Sequence, residues 1–328
     1  MSNTKVIISG GCGFIGHHTV EHILKNTDWE ITIVDKLNYA SFGYDRLRDI
    51  SVFDDSRVSI VGHDFAEEVP SGVLRELEGA NYFIHMAAET HVDNSITNPL
   101  PFIRSNVLGT HHAAEASIKL GVHRFIYFST DEVFGPAPQG IEYKEWDRYK
   151  SSNPYAASKA GGEEIVVAYH NTYGLPAITT HTMNVFGERQ HPEKFIPMVI
   201  RKILAREEVT IHSNSDGTVA ATRFWLHARN AADAVLFLLE NGEPGDKYNI
   251  VGEVEMDVLT LAKAIAEILD KPLKYKMLDF HSTRPGHDMR YALDGGKLAR
   301  TGYHYPKSFI DSLYQTVRWS VENPQWLG

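Results

Sequence analysis

Val6-Ile7-Ile8-Ser9-Gly10-Gly11-Cys12-Gly13-Phe14-Ile15-Gly16 decides the fold, because a short apolar strand runs straight into glycines at 10, 13 and 16. Glycines so spaced permit a tight turn, close approach of the backbone to a pyrophosphate, and close packing of the next helix on the sheet. A helix opening there presents free N–H groups and the positive end of its dipole to phosphate oxygens. Alone, the triplet is a weak signal. Here it follows a strand, opens a helix and is answered by Asp35 at the end of the second strand. A carboxylate at that place accepts hydrogen bonds from an adenosine ribose and repels a 2′-phosphate, which favours NAD over NADP.

Outward from that loop, short runs rich in β-branched and aromatic residues alternate with helical patterns. Ile31–Val34, Val58–Val61, Tyr82–Ile84 and Phe125–Phe128 read as strands, with helices expected over Ile15–Lys25, Val73–Glu78 and Val107–Leu120. This alternation predicts an α/β fold, a Rossmann-type doubly wound parallel sheet with helices on both faces. The second half is less regular. Asp257 is a plausible N-cap for a helix carrying Val258, Leu261, Ala262, Ile265, Ile268 and Leu269, and Phe309, Leu313 and Val317 suggest a late helix. Asn241–Asp246 and Arg284–His287 read as loops. The C-terminal part is expected to pack over the carboxyl edge of the sheet, where such folds bind ligands.

Composition narrows the class. With 328 residues, 43% of them hydrophobic, the chain can bury a large core, and its formal net charge of -10 is spread along its length. No Lys/Arg stripe of a nucleic-acid binder is present, so DNA and RNA are not expected partners. The first apolar run stops at Gly10 without a cleavage-site pattern and reads as a strand rather than a signal peptide. No apolar run approaches the roughly 18–20 residues that cross a bilayer, so no membrane association is expected. Cys12 is the single cysteine, so no intrachain disulfide can form and a reducing cytoplasm is the default location. His17-His18 and His111-His112 are adjacent pairs expected on different helix faces, and no metal-binding spacing exists, so no metal site is expected.

Two short segments carry chemistry. Asn153-Pro154 marks a turn, and Tyr155-Ala156-Ala157-Ser158-Lys159 opens a helix on which positions four apart share a face. A nearby cation favours the phenolate of Tyr155, making it a base for a hydroxyl proton. At the end of the fifth strand stands Ser129-Thr130-Asp131-Glu132. A single Asp there can be a turn residue. Two adjacent carboxyls held close are pushed to different protonation states, so that one can donate a proton while the other removes one. Asp64, at the end of the third strand, either meets an adenine or only closes a turn.

Taken in order, Gly10–Gly16, His85–Asp93, Asn106–Thr110, Thr130-Asp131-Glu132, Tyr155–Lys159, Pro192–Pro197 and Arg284–Tyr291 resemble the signatures of the dTDP-glucose 4,6-dehydratase family, within the extended short-chain dehydrogenases. The resemblance runs to about residue 298. It implies an NAD-dependent lyase acting on a nucleotide hexose, with Gly10, Gly13, Phe14, Ile15, Gly16, Asp35, Asp64, Ala87, Tyr155 and Lys159 at the cofactor. It also implies a cycle in which Tyr155 deprotonates the C4 hydroxyl, with Thr130 holding that oxygen and Lys159 tuning the phenol. Glu132 then removes the C5 proton, Asp131 protonates the departing C6 hydroxyl, and hydride returns to C6. Thr90, Asn184, Glu193, Lys194, Arg223, Asn249, Arg290 and Tyr291 are implied around the sugar nucleotide; arginine forks suit phosphate oxygens.

By the same resemblance, residues 1–184 with about 223–251 form the NAD-binding domain, and about 185–222 with 252–328 the nucleotide-sugar domain. A homodimer through the helices near Val107–Leu120 and Ala156–Tyr173 is implied as well. Epimerase and decarboxylase relatives lack the Asp-Glu pair, and a purely binding protein has no use for this acid–base set. Thr222–Asn230 departs from the family pattern: Phe224 replaces an acid and His227 a tyrosine, while Asn94 stands where a basic residue is frequent. These changes are expected toward the nucleotide, leaving UDP-, CDP- or another activated hexose open beside dTDP-glucose.

Overall fold

The computed structural model describes residues 4–279 and 288–328; the expected loop Arg284–His287 lies outside the described residues. Twelve strands are present among them: β1 Lys5–Ser9, β2 Glu30–Asp35, β3 Val58–Gly62, β4 Tyr82–His85, β5 Arg124–Thr130, β6 Ala177–Thr182, β7 Asn184–Phe186, β8 Val209–Ser213, β9 Thr222–His227, β10 Lys247–Ile250, β11 Val254–Asp257 and β12 Tyr275–Asp279. Seven of them form one sheet in the order β10-β6-β5-β4-β1-β2-β3, every neighbouring pair parallel. The chain starts in the middle and winds outward both ways, so the crevice where the strand order reverses opens between β1 and β4.

The apolar strands are explained by burial on two faces. Ile8 joins a core with α1 (Phe14–Asn26) and the helix Ala228–Asn241, whereas Ile7 joins one with the helices Gly109–Leu120 and Pro154–Tyr173. Successive side chains of a strand point to opposite faces, and burying each isoleucine contributes about 1.5–3 kcal/mol. Strands β6 and β10 extend the sheet beyond the five that were legible. Their sequences, Ala177–Thr182 and Lys247–Ile250, are largely polar yet entirely buried. Partners make this tolerable: His181 donates to Asn249 Oδ1 at 2.9 Å and meets the Glu163 carboxylate at 3.1 Å.

The remaining strands form a three-stranded sheet, β11-β9-β7, and the pair β12-β8. The three-stranded sheet takes strands from both expected regions. Around it lies a second core, built from Phe195–Leu204, Val258–Leu269 and Phe309–Glu322. Asp257 caps its helix as expected, accepting from the N–H groups of Leu259 and Thr260. The helix expected over Val107–Leu120 instead begins at Gly109, after a π-helical turn at Arg104–Leu108. That wide turn serves a side chain: Asn106 exchanges two hydrogen bonds with the Glu89 backbone and donates to Ser158 Oγ, tying the segment after β4 to the helix that carries Tyr155. The adjacent histidine rings do not diverge; their centroids are 4.0 Å apart in His17/His18 and 5.1 Å in His111/His112. Among the described residues no helix is long and apolar enough to cross a membrane.

One buried imidazole makes a pH dependence checkable. His85 pairs with Ser9 Oγ at 2.7 Å and with Thr110 Oγ1 at 3.3 Å. Burial, with Lys159 adding to it, pushes His85 down to about 3. The unfolded chain takes up this proton near pH 6.5 and the folded chain does not. Stability is therefore full above 6.5 and falls by about 1.4 kcal/mol per pH unit as pH drops below it. His85→Asn is expected to lack that slope. Urea unfolding of both proteins at pH 7 and pH 5.5 tests this, and parallel losses on acidification would refute it.

Candidate active site

A cavity of about 870 Å³ opens at the carboxyl ends of the strands and reaches from the glycine loop to the second core. The loop is shaped by what a side chain would strike. A Cβ on Gly16 would lie 2.1 Å from the Gly10 carbonyl oxygen, and one on Gly10, whose φ is +74°, would lie 2.9 Å from the Ala87 backbone. Gly13 caps α1 without a side chain. The first turn of that helix, Phe14, Ile15 and Gly16, lines the cavity with Gly10, Gly13 and Ala87. The cradle therefore fits a diphosphate against a helix N-terminus.

Asp35 lines the same end. Its carboxylate is held by the Cys12 N–H at 3.0 Å and the Leu37 N–H at 2.8 Å, while burial raises its pKa against those bonds. Asp64 accepts from the Ala66 N–H at 2.9 Å, as a turn residue does, and also lines the cavity. Lys36, which the sequence reading passed over, bridges Glu89 at 2.9 Å and Asp64 at 3.6 Å across this end. Its only signal was its place directly after Asp35.

At the centre, the last residue of β5 and the short 3-10 turn Asp131–Phe134 bring three groups together. Thr130 Oγ1 donates to Asp131 Oδ1 at 3.0 Å and accepts from the Glu132 N–H at 3.3 Å. Burial and then the neighbouring Glu132 push Asp131 up to about 7. Burial also raises Glu132, but the Asn153 amide, which donates to it at 3.0 Å, and the Arg223 and Lys194 charges favour its ionised form. Asn153 does this while its Oδ1 caps the helix of Tyr155, accepting from the Ala156 N–H at 2.8 Å. The Asn-Pro turn was legible; the second use of the amide was not.

Tyr155 and Lys159 both line the cavity, in the first turns of Pro154–Tyr173. Lys159 donates to the Phe128 carbonyl at 2.7 Å and lies 4.3 Å from the centre of the Tyr127 ring, and burial pushes it down to about 7. Burial, then Glu132 and Asp131, hold the Tyr155 phenol well above its ordinary range, and Thr130 is the group that lowers it by hydrogen bonding.

Of the residues expected around a sugar nucleotide, Thr90, Asn184, Glu193, Lys194, Arg223 and Tyr291 line the cavity. Glu193 is met by His91 Nε2 at 2.9 Å, and the Arg223 guanidinium lies 4.7 Å from the centre of the Tyr291 ring. Asn249 and Arg290 are not brought there. Asn249 is fully buried, and its Nδ2 donates to the Tyr143 and Asp294 carbonyls at 3.0 Å each. Arg290 pairs with Glu255 at 2.6 Å and donates to the Pro138 and Ile141 carbonyls. Both have donors committed to holding loops. The departures Phe224 and His227 also sit behind the wall rather than at the nucleotide end. Phe224 packs against the small core around Tyr291, and His227 meets Glu188 at 3.3 Å. Asn94 does line the cavity.

The arrangement can hold a diphosphate, abstract a hydroxyl proton, and offer two adjacent buried carboxyls as acid and base to neighbouring carbons. Comparison with known proteins agrees with that chemistry. The profile of the NAD dependent epimerase/dehydratase family matches residues 6–251. The dTDP-glucose 4,6-dehydratase of Salmonella typhimurium is 36% identical, over 99% of this chain and 94% of that protein. The Arabidopsis thaliana trifunctional protein that includes a UDP-glucose 4,6-dehydratase is 34% identical over 99% of this chain, which spans 48% of that longer protein. The crystal structure of DesIV, a dTDP-glucose 4,6-dehydratase from Streptomyces venezuelae with NAD bound, superposes with a TM-score of 0.88 at 35% identity, covering 98% of both chains.

Proposed function

This chain belongs to the NAD dependent epimerase/dehydratase family, and on that premise we propose that it is a nucleotide-sugar 4,6-dehydratase whose substrate is dTDP-glucose. UDP-glucose is the second reading, supported by the Arabidopsis relative. The observation that carries the proposal is the meeting of Tyr155 with the adjacent carboxyls of Asp131 and Glu132 on one cavity wall. An oxidation and re-reduction at C4 alone uses the tyrosine. Only loss of water calls for an acid and a base beside it.

NAD⁺, when bound at the glycine loop, supplies a hydride acceptor for C4 and a hydride donor for C6. Everything else falls to the protein's own groups. Tyr155 takes the C4 hydroxyl proton while Thr130 holds that oxygen. The resulting ketone acidifies C5, whose proton Glu132 removes; Asp131, raised to about 7 by burial and by its neighbour's charge, gives its proton to the departing C6 hydroxyl. General acid–base catalysis of this kind contributes on the order of 10²–10⁴. Lys159 is anchored on Phe128, and Asn153, Arg223 and Lys194 favour the ionised form of Glu132 against the burial that raises it. The sheet with its glycine loop serves the cofactor, and the second core serves the sugar nucleotide.

A homodimer is part of the same reading. Leu108, Ile118 and Tyr173 are exposed apolar residues on the two helices expected to pair, and a light-scattering mass of one chain would rule it out. A cytoplasmic location is proposed from the single cysteine. The activity is tested by offering dTDP-, UDP-, CDP- and GDP-glucose to the purified protein. The expected product has lost one water, with no net NADH formed. A product of unchanged mass, or none with any of the four, would sink the proposal.

A further inference from the structure

Arg46 is completely buried, in the short helix Asp45–Asp49, and forms part of the wall at the glycine-loop end of the cavity. Among the described residues its guanidinium donates only to backbone carbonyls. Nε reaches Arg189 O at 3.0 Å, and Nη1 reaches Ala40 O at 2.8 Å, Ser41 O at 2.9 Å and Cys12 O at 3.4 Å. These carbonyls belong to three segments far apart in sequence: the glycine loop, the loop after β2 and the loop after β7. Each segment also contributes to the cavity wall, through Gly10 and Gly13, through Ala40 and Ser41, and through Gln190 and His191. A buried guanidinium is costly unless its donors are used. Here their use fixes three backbone segments against one another.

The plane of the guanidinium is held by aromatic rings. Among the described residues Nη2 has no hydrogen-bond acceptor, and the group lies 4.9 Å from the centre of Phe42 and 5.7 Å from that of Trp326. Trp326 meets Phe42 edge-on, and the next residue's carbonyl accepts from Arg201 at 3.3 Å. Trp326 and Leu327 are buried but do not line the cavity. The end of the chain thus packs on the residue that spaces the loops.

We propose that Arg46 is a positioning residue for the dinucleotide: it holds the glycine loop, the loop after β2 and the loop after β7 at the spacing NAD fits, and Trp326 holds Arg46 in place. The inference rests on the NAD reading given above. Arg46 acts through the loops and touches no reacting atom. Its contribution is preorganisation, which shows in affinity rather than in the chemical step.

Amide exchange of the wild-type protein with and without NAD⁺ tests this without any substitution. NAD⁺ is expected to slow exchange at residues 10–16 and 38–46, and also at 319–328, which line no part of the cavity. Slowing at 10–16 without slowing at 319–328 overturns the proposal, whereas no slowing anywhere sinks the NAD reading instead. Arg46→Met is expected to weaken NAD⁺ binding roughly tenfold, and Trp326→Leu to weaken it in the same direction, the loss falling on the NAD⁺ dissociation constant rather than on kcat at saturating NAD⁺. A merely structural role would lower the melting temperature and leave that constant unchanged, which would also overturn the proposal.

Discussion

Tyr155→Phe is expected to lose about 10²–10⁴ in turnover, and the bound cofactor should stay oxidised however much nucleotide sugar is added. The substitution removes one oxygen and little else. The ring packs edge-on to Phe102 at 6.5 Å between centroids, and the backbone N–H of residue 155 donates to Ser95 Oγ at 3.1 Å, neither of which needs the hydroxyl. What disappears, on the proposed mechanism, is the acceptor for the C4 hydroxyl proton. Without it the alcohol cannot become a ketone, C5 is not acidified, and the two carboxyls have nothing to act on. Single-turnover absorbance of the reduced cofactor distinguishes this from a binding defect. If reduced cofactor still formed at the wild-type rate, Tyr155 would not be the base.

The parts of this site that were legible in sequence are those where local sterics or helical spacing dictate the outcome. Gly10, Gly13 and Gly16 announce themselves because a Cβ on Gly16 would collide with the backbone of the same loop. Tyr155 and Lys159 are four apart on one helix, and Asp131 and Glu132 are neighbours at the end of a strand, so short spacing already places them. Asn249 and Arg290 were misplaced for the opposite reason. Their residue types suit a phosphate or a sugar hydroxyl, but their partners Tyr143, Asp294, Glu255 and Pro138 lie between 35 and 152 positions away. No local pattern encodes such a pairing. Arg46 is the same case seen from the other side: no local pattern singles it out, and only the meeting of three distant loops and the chain's end gives it its place. Strand β6 escaped notice because its buried Thr179, Thr180, His181 and Thr182 break the apolar pattern that marks a core strand.

Glu132→Gln separates the elimination from the oxidation and is expected to have the second large effect, a loss of about 10²–10⁴ in formation of the dehydrated product. The amide keeps the shape of the side chain and can still accept from Asn153 Nδ2, so the wall of the cavity should hold. It cannot take the C5 proton. Yet the charge it removes bears on two other groups. Glu132 is the second cause, after burial, raising both Asp131 and Tyr155. Without that charge both acidities increase. For Tyr155 the direction helps, since a phenol that ionises more readily is a better base at a given pH, so C4 oxidation should persist and its pH threshold should move lower. Reduced cofactor is then expected to accumulate on the variant in step with added substrate, where Tyr155→Phe leaves none. For Asp131 the direction hurts, because an acid pushed below about 7 holds less of its proton at neutral pH, which deepens the block at elimination. A Glu132→Gln protein that released dehydrated sugar at the wild-type rate would show that the C5 proton leaves by another route. One that formed no reduced cofactor at all would show that the carboxyl serves the oxidation too.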